Sequence, residues 1–166
     1  MNGAYLFESA KCMALTLQLM QGSPVQDPAV ELNTDDHAVV NEYKAEAKYK
    51  QNLVYPKDAE GIIGRDSLLD FYEKLTLLRK DALINEMLAH GEFKLAAPEH
   101  AQVFAYERSL DGKRFLIVSN WSKESLDFDL NPDFLDGDLR VSVYPEILLS
   151  NKMMLRPYEA FAILIG

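Results

Sequence analysis

Two periods of hydrophobicity divide the chain. Up to about residue 90 the apolar positions recur at threes and fours, and from Gly91 they alternate. Over Leu6–Gln21 the residues Leu6, Ala10, Met13, Leu17 and Met20 form a stripe that Ala14 and Leu15 widen. That spacing predicts a helix with this stripe buried. Gly22-Ser23-Pro24 is expected to end it. Val25–Asp36 reads as loop, a weakly amphipathic helix is expected from near Asp36 to Tyr49, and Gln51–Gly64 reads as a connector. A strong helix is predicted over Asp66–Lys80, capped by Asp66 or Ser67. Leu68, Leu69, Tyr72, Leu75 and Leu78 form one face of it, with Phe71 beside them, and its end is basic at Arg79-Lys80. Asp81–Leu88 reads as a further short turn of helix.

The second half alternates. Val103–Ser109 and Arg114–Asn120 are rich in aromatic and β-branched residues and flank Asp111-Gly112, so they predict an antiparallel hairpin with a tight turn. Both faces of the second strand are apolar, which predicts a central strand covered on both sides. Further strands are expected at Glu92–Ala96, Leu126–Leu130, Leu139–Tyr144 and Ala160–Ile165, with a short one near Lys152–Leu155. The fold class is therefore α+β: a helical segment, residues 1–90, followed by an antiparallel β-sandwich of Greek-key type, residues 91–166. There is no room for a complete TIM barrel, which needs eight strands.

Composition narrows the function more than the fold. With 48% hydrophobic residues the chain can build a core. A net charge of −9 argues against a nucleic-acid or anionic-membrane partner, since either needs a basic face. The single cysteine, Cys12, excludes an internal disulfide and reads as a small core residue. Met1–Phe7 has no basic leader region, and Cys12–Met20 is too short to span a bilayer, so a cytoplasmic location is expected.

Candidate chemistry is sparse. Asp127 and Asp129 fall on one face of a short strand and read as a solvated edge. Asp133, Asp136 and Asp138 surround a turn but lack the further ligands, the central glycine and the distal glutamate of a calcium loop. His37, His90 and His100 are scattered without metal-ligand spacing. Ser119 and Ser122 lack the glycines of a nucleophile elbow, and no glycine-rich phosphate loop is present. No catalytic residue, metal site or cofactor is expected. Trp121, after the second hairpin strand, is the one candidate for substrate binding, as an indole that could stack on a sugar ring, against a simpler reading as boundary packing. Tyr106 and Tyr158 read as core tyrosines with bonded hydroxyls.

Four segments carry a resemblance. SLLDFYEKLTLLRK (Ser67–Lys80) resembles the last barrel helix of the α-amylase superfamily, with oligo-1,6-glucosidases, dextran glucosidases and related α-glucosidases as the nearest branch. HGEFKLAAPEHAQVFAYERSLDGKRFLIVSNWSKES (His90–Ser125) resembles the start of their C-terminal β-domain. LRPYEAFAILI (Leu155–Ile165) resembles the strand that closes that domain, and ESAKCMALTLQLMQGSP (Glu8–Pro24) is similar to the helix before the eighth barrel strand. VQDPAVEL (Val25–Leu32) departs from the family's strand at that point. The family's catalytic carboxylates precede the segment matching Glu8, so the resemblance implies a non-catalytic C-terminal fragment related to carbohydrate metabolism, with a structural or interaction role. The alternatives are a carbohydrate-binding or regulatory module, or an α-glucosidase active only with a separate catalytic chain. The stripes of Leu6–Gln21 and Asp66–Lys80 would face barrel strands in the family, so these helices are expected to fold back on each other and the sandwich, or to bury their stripes in a homodimer or against a separate catalytic chain; a saccharide is the partner that the binding-module alternative implies.

Overall fold

The computed structural model describes residues 5–20 and 59–166, apart from the side chains of 59–67 and 69. In chain order it contains α1 (Leu6–Gln18), α2 (Ala59–Lys80), α3 (Ala82–His90), β1 (Glu92–Leu95), β2 (Val103–Leu110), β3 (Lys113–Asn120), β4 (Leu126–Asp129), a 3₁₀ turn at Pro132–Phe134, β5 (Asp138–Ser142), β6 (Lys152–Leu155) and β7 (Ala160–Ile165). The expected loop over Val25–Asp36 and the helix from Asp36 to Tyr49 lie outside the described residues.

Five strands form one antiparallel sheet in the order β1-β2-β3-β7-β5, while β4 and β6 pair as a separate antiparallel ribbon. The fold is α+β without a closed barrel. The β2–β3 hairpin turns at Asp111-Gly112, where both residues have positive φ (50° and 78°). That pair of values is what a two-residue turn of right-handed twist demands. β3 is the middle strand and carries an unbroken buried run from Phe115 to Asn120.

The two faces of the sheet are covered differently. Val103 and Ala105 of β2, Leu116 and Val118 of β3, and Phe161 and Ile163 of β7 face the ribbon, whose Phe128 and Leu155 join them with Phe134. Tyr106, Phe115, Ile117, Ala160 and Ala162 face the helices, which contribute Cys12, Leu15, Leu19, Phe71, Leu75, Leu78, Ile84 and Met87. Alanine at 160 and 162 lets α1 approach β7 and the neighbouring β3 closely. The expected sandwich is thus unequal: a two-stranded layer, a five-stranded layer and a helical layer.

Three expectations about the helices change. The stripe read as the core of α1 faces outward: Leu6, Met13 and Leu17 are 57%, 48% and 53% exposed. The buried side is Cys12, Leu15, Thr16 and Leu19, with Ala14 buried as well. Thr16 tolerates burial because its hydroxyl donates to the Cys12 carbonyl at 2.8 Å. Next, α2 begins at Ala59 rather than at a cap on Asp66 or Ser67, so the end of the expected connector is helical. Its buried face is Phe71, Leu75 and Leu78, and Tyr72 is exposed. Finally, Asp81 starts a separate nine-residue helix instead of continuing α2.

Chain ends of the helices are satisfied by long-range bonds. Arg79 donates to the Gln18 carbonyl at the end of α1. Arg108, fully buried on β2, donates to the Met87 and Leu88 carbonyls at 3.0–3.3 Å, closing the end of α3. Gly91 follows, where a Cβ would meet the Met87 carbonyl oxygen at 2.5 Å and that of Ser109 at 3.0 Å. Only glycine allows the chain to pass from α3 into β1 this closely to β2. Phe93 then stacks on Tyr106 at 5.4 Å and approaches the Arg108 guanidinium at 5.9 Å.

Asp81 caps α3 by accepting from Leu83 N at 3.0 Å and Ile84 N at 3.1 Å, and it pairs with Arg140 at 3.3 Å. These bonds, that from Ile84 first, hold its carboxyl below the ordinary value. The resulting stability is present above the unfolded carboxylate pKa of about 3.9 and is lost as pH falls through the depressed folded value. Asp81→Ala is expected to cost about 1 kcal/mol at pH 7. Urea titrations should show that cost shrinking steadily below pH 4.

Candidate functional site

The end of the sheet where β3, the β6–β7 turn and α1 meet gathers most of the polar residues in the matched motifs. Asn120, buried at the end of β3, donates from its side-chain nitrogen to the Glu124 carbonyl at 2.7 Å and the Arg156 carbonyl at 2.9 Å. Its side-chain oxygen accepts from Ser122 N and Ser122 Oγ, both at 2.9 Å. Glu159, also buried, accepts from Arg156 N at 2.7 Å and pairs with the Arg156 guanidinium at 2.6 Å. Arg156 in turn donates to the Glu146 carbonyl at 2.7 Å and lies 4.1 Å from the centre of the Tyr144 ring. The Tyr144 hydroxyl donates to the Pro157 carbonyl at 2.9 Å, and burial pushes it up to about 12. Ser119 Oγ donates to the Phe104 carbonyl at 2.7 Å.

Each of these groups holds one backbone segment against another. A catalytic acid or base needs a proton-exchanging group facing a substrate, and here the buried carboxylate of Glu159 faces its own loop. Arg156 gains from the same arrangement, its pKa raised by the bonds to Glu159. The Tyr106 hydroxyl, buried and shifted upward by that burial, donates to the Thr16 carbonyl at 2.8 Å. Tyr106 is therefore the core tyrosine with a bonded hydroxyl that the pattern implied. Tyr158 is only partly buried, has φ 53°, and its ring lies 6.2 Å from that of Tyr5.

Trp121 is 42% exposed. Its indole N–H donates to Ser119 Oγ at 2.9 Å, which fixes the ring at the strand end. It forms one wall of an open, mainly apolar groove with Leu17 of α1, Met20 just beyond that helix, and His100, Ala101 and Phe104. His100 Nδ1 accepts from Val103 N at 3.2 Å, which orders the loop. The groove was not legible in the sequence, because it depends on the outward flank of α1.

The remaining candidates stand apart. Asp127 and Asp129 are exposed on the outer side of β4. Asp133 pairs with Arg114 at 2.7 Å, and Arg114 also pairs with Glu107 at 2.6 Å. Asp138 pairs with Arg140 at 3.1 Å. His90 lies 3.9 Å from Glu86 on the exposed side of α3; His37 lies outside the described residues. Among the described residues no group of three His, Cys, Asp or Glu side chains could hold a metal ion, and no helix is long and apolar enough to cross a membrane.

A helix-backed antiparallel sheet with a small covering ribbon, its buried polar residues bonded to the backbone, is an α+β fold. The chain is homologous to the C-terminal portion of α-amylase-family glycoside hydrolases. It is 36% identical over 104 residues to a palatinase of Erwinia rhapontici, covering 60% of this chain and 18% of that protein. It is 22% identical to an oligo-1,6-glucosidase of Parageobacillus thermoglucosidasius, covering 96% of this chain and 38% of that enzyme. That second alignment runs over 223 positions, more than the 166 residues present, so the relative carries stretches without a counterpart here. In fold the chain matches the trehalose-6-phosphate hydrolase of Bacillus licheniformis with a TM-score of 0.67 at 16% identity, covering 98% of this chain and 39% of that one. No protein-family model matches the chain. It spans about a fifth to two-fifths of the length of these relatives.

Cys12 supplies a test of the site's closure. Its thiol contacts the Asn120 carbonyl at 3.5 Å, and burial pushes it up to about 12. A thiol so shifted carries almost no thiolate at neutral pH. Ellman's reagent should leave the native protein unlabelled over hours at pH 8, and one thiol per chain should react once urea unfolds it.

Proposed function

We propose that this chain is a non-catalytic C-terminal unit of an α-glucosidase-like glycoside hydrolase, with a structural and interaction role. The observation that carries this reading is the use made of the motif residues: Tyr106, Arg108, Asn120 and Glu159 all bond to backbone carbonyls or amides, or to each other's loops. Retaining glycoside hydrolysis needs two carboxyl groups about 5–5.5 Å apart across the sugar. The partly or fully buried carboxylates Glu107 and Glu159 are each paired with an arginine and lie on different elements. The link to carbohydrate metabolism comes through homology.

A second reading, carbohydrate binding or regulation by the unit itself, is favoured by the exposed indole of Trp121 over its groove. The apolar walls of that groove offer a sugar few hydrogen-bond partners, which weighs against it.

Incubation of the mass-verified chain with an aryl α-glucoside and with isomaltose is expected to give no turnover above buffer. Reproducible turnover that survives repurification would overturn the non-catalytic reading. Titration with millimolar glucose, isomaltose and trehalose should leave Trp121 fluorescence unchanged. A saturable change abolished by Trp121→Ala without unfolding would establish the second reading instead.

A further inference from the structure

We infer that Arg108 holds a buried single-atom hydrogen-bond acceptor, a water oxygen or a halide ion, on the part of its guanidinium that α3 does not use. Arg108 lies on β2 and is fully buried. Its Nε donates to the Met87 carbonyl at 3.3 Å, and its Nη2 donates to the Met87 and Leu88 carbonyls at 3.2 and 3.0 Å. Those bonds use one edge of the planar group. Nη1 lies off that edge, is shut from solvent and has no hydrogen-bond partner among the described residues. It carries two of the five N–H donors of the guanidinium and shares its positive charge.

A charged donor buried without a partner forfeits its hydration and regains nothing, so such groups are paired with protein or with ordered solvent. The protein offers little here. The Met87 carbonyl already accepts from Gly91 N at 2.9 Å as well as from Arg108. Two aromatic rings lie close by. Phe93 stands opposite Arg108 in the β1–β2 register, with its ring centre 5.9 Å from Cζ, and stacks on Tyr106. A ring face accepts an N–H only weakly.

Charge and access select the ligand. The carbonyls bonded to Arg108 close the C-terminal end of α3, where the helix dipole supplies about half a negative charge. A positive remainder is left at the guanidinium, which favours a lone pair or a small anion. The full burial of Arg108 excludes phosphate or a free carboxylate, which need an open face on the guanidinium. Phe93 is 42% exposed on the edge strand of the sheet, so a swing of this ring is the way in for one water molecule or one halide ion.

A high-resolution crystal structure of the full chain grown in sodium bromide tests this directly. A single peak is expected within hydrogen-bond distance of Nη1. Anomalous scattering at the bromine edge marks it as halide, and the lack of that signal marks it as water. Nη1 bonded to a protein atom, or with no peak beside it, would overturn the proposal. In solution, Phe93→Ala removes the covering ring from an exposed strand and should leave circular dichroism unchanged. If the ligand is water, magnetic relaxation dispersion of the solvent should lose one long-lived molecule per chain in this variant. If it is a halide, bromide should raise the melting temperature of the wild-type chain more than that of the variant. A folded variant that shows neither change would also overturn the proposal. Should the variant fail to fold, the peak beside Nη1 in the wild-type chain decides alone.

Discussion

The structure depends on one constraint: β3 is apolar on both faces, so its sheet must be covered twice. Phe115 and Ile117 point one way and Leu116 and Val118 the other, and all four are buried. Leaving either face open would expose apolar area worth about 25 cal/mol per Å². The ribbon of β4 and β6 is long enough to cover one side. Covering the other falls to α1, α2 and α3, which join the sheet in one hydrophobic cluster. The helices are thus part of the sheet's core, and the bonds that fasten them serve this covering. Tyr106 reaches the Thr16 carbonyl of α1, Arg108 closes α3, and Arg79 ties α2 to α1.

How far this could be read from sequence follows from how locally each element is determined. The β2–β3 hairpin was legible because Asp111-Gly112 fixes the turn and a period of two fixes the faces, with register following from both. β6 and β7 fall where the alternation put them. The orientation of α1 was not legible. Its apolar residues surround most of the helix, and the 4-3-4-3 run is the most regular subset, yet tertiary contact selected the side bearing Cys12 and Thr16. Those residues look poorer in a hydrophobicity pattern, but Thr16 satisfies its own hydroxyl on the helix and so costs little to bury. The start of α2 was missed for a different reason. Gly61 and Gly64 fall in the stretch read as a connector, yet each costs a helix only about 1 kcal/mol, which the packing of Phe71, Leu75 and Leu78 further along can offset.

The candidate site shows the same division. Trp121 was singled out for its indole, and it is half-exposed and on a groove, but one wall of that groove is made by Leu17 and Met20, which the pattern had placed in the core. A site built from two elements cannot be seen before the orientation of both is known. The carboxylate clusters were easier, because charges at alternate positions of a short strand or around a turn have no means of burial. Asp127 and Asp129 are accordingly exposed, and Asp133 and Asp138 meet arginines at the surface.

Homology and activity separate here on physical grounds. A motif such as Val-Phe-Ala-Tyr-x-Arg can persist between proteins because Tyr106 must bond α1 and Arg108 must close α3, whatever the rest of the molecule does. The same holds for Pro-Tyr-Glu-Ala, where Glu159 fixes the turn into β7. Residues with such roles serve the fold, and a fold by itself does not specify an activity. Hydrolysis draws on a different set, carboxylates aimed into a cleft, whereas the buried carboxylate of Glu159 is aimed at a turn. The chain thus shares a fold with the C-terminal portion of its relatives, held by buried bonds from Tyr106, Arg108 and Glu159 to the backbone.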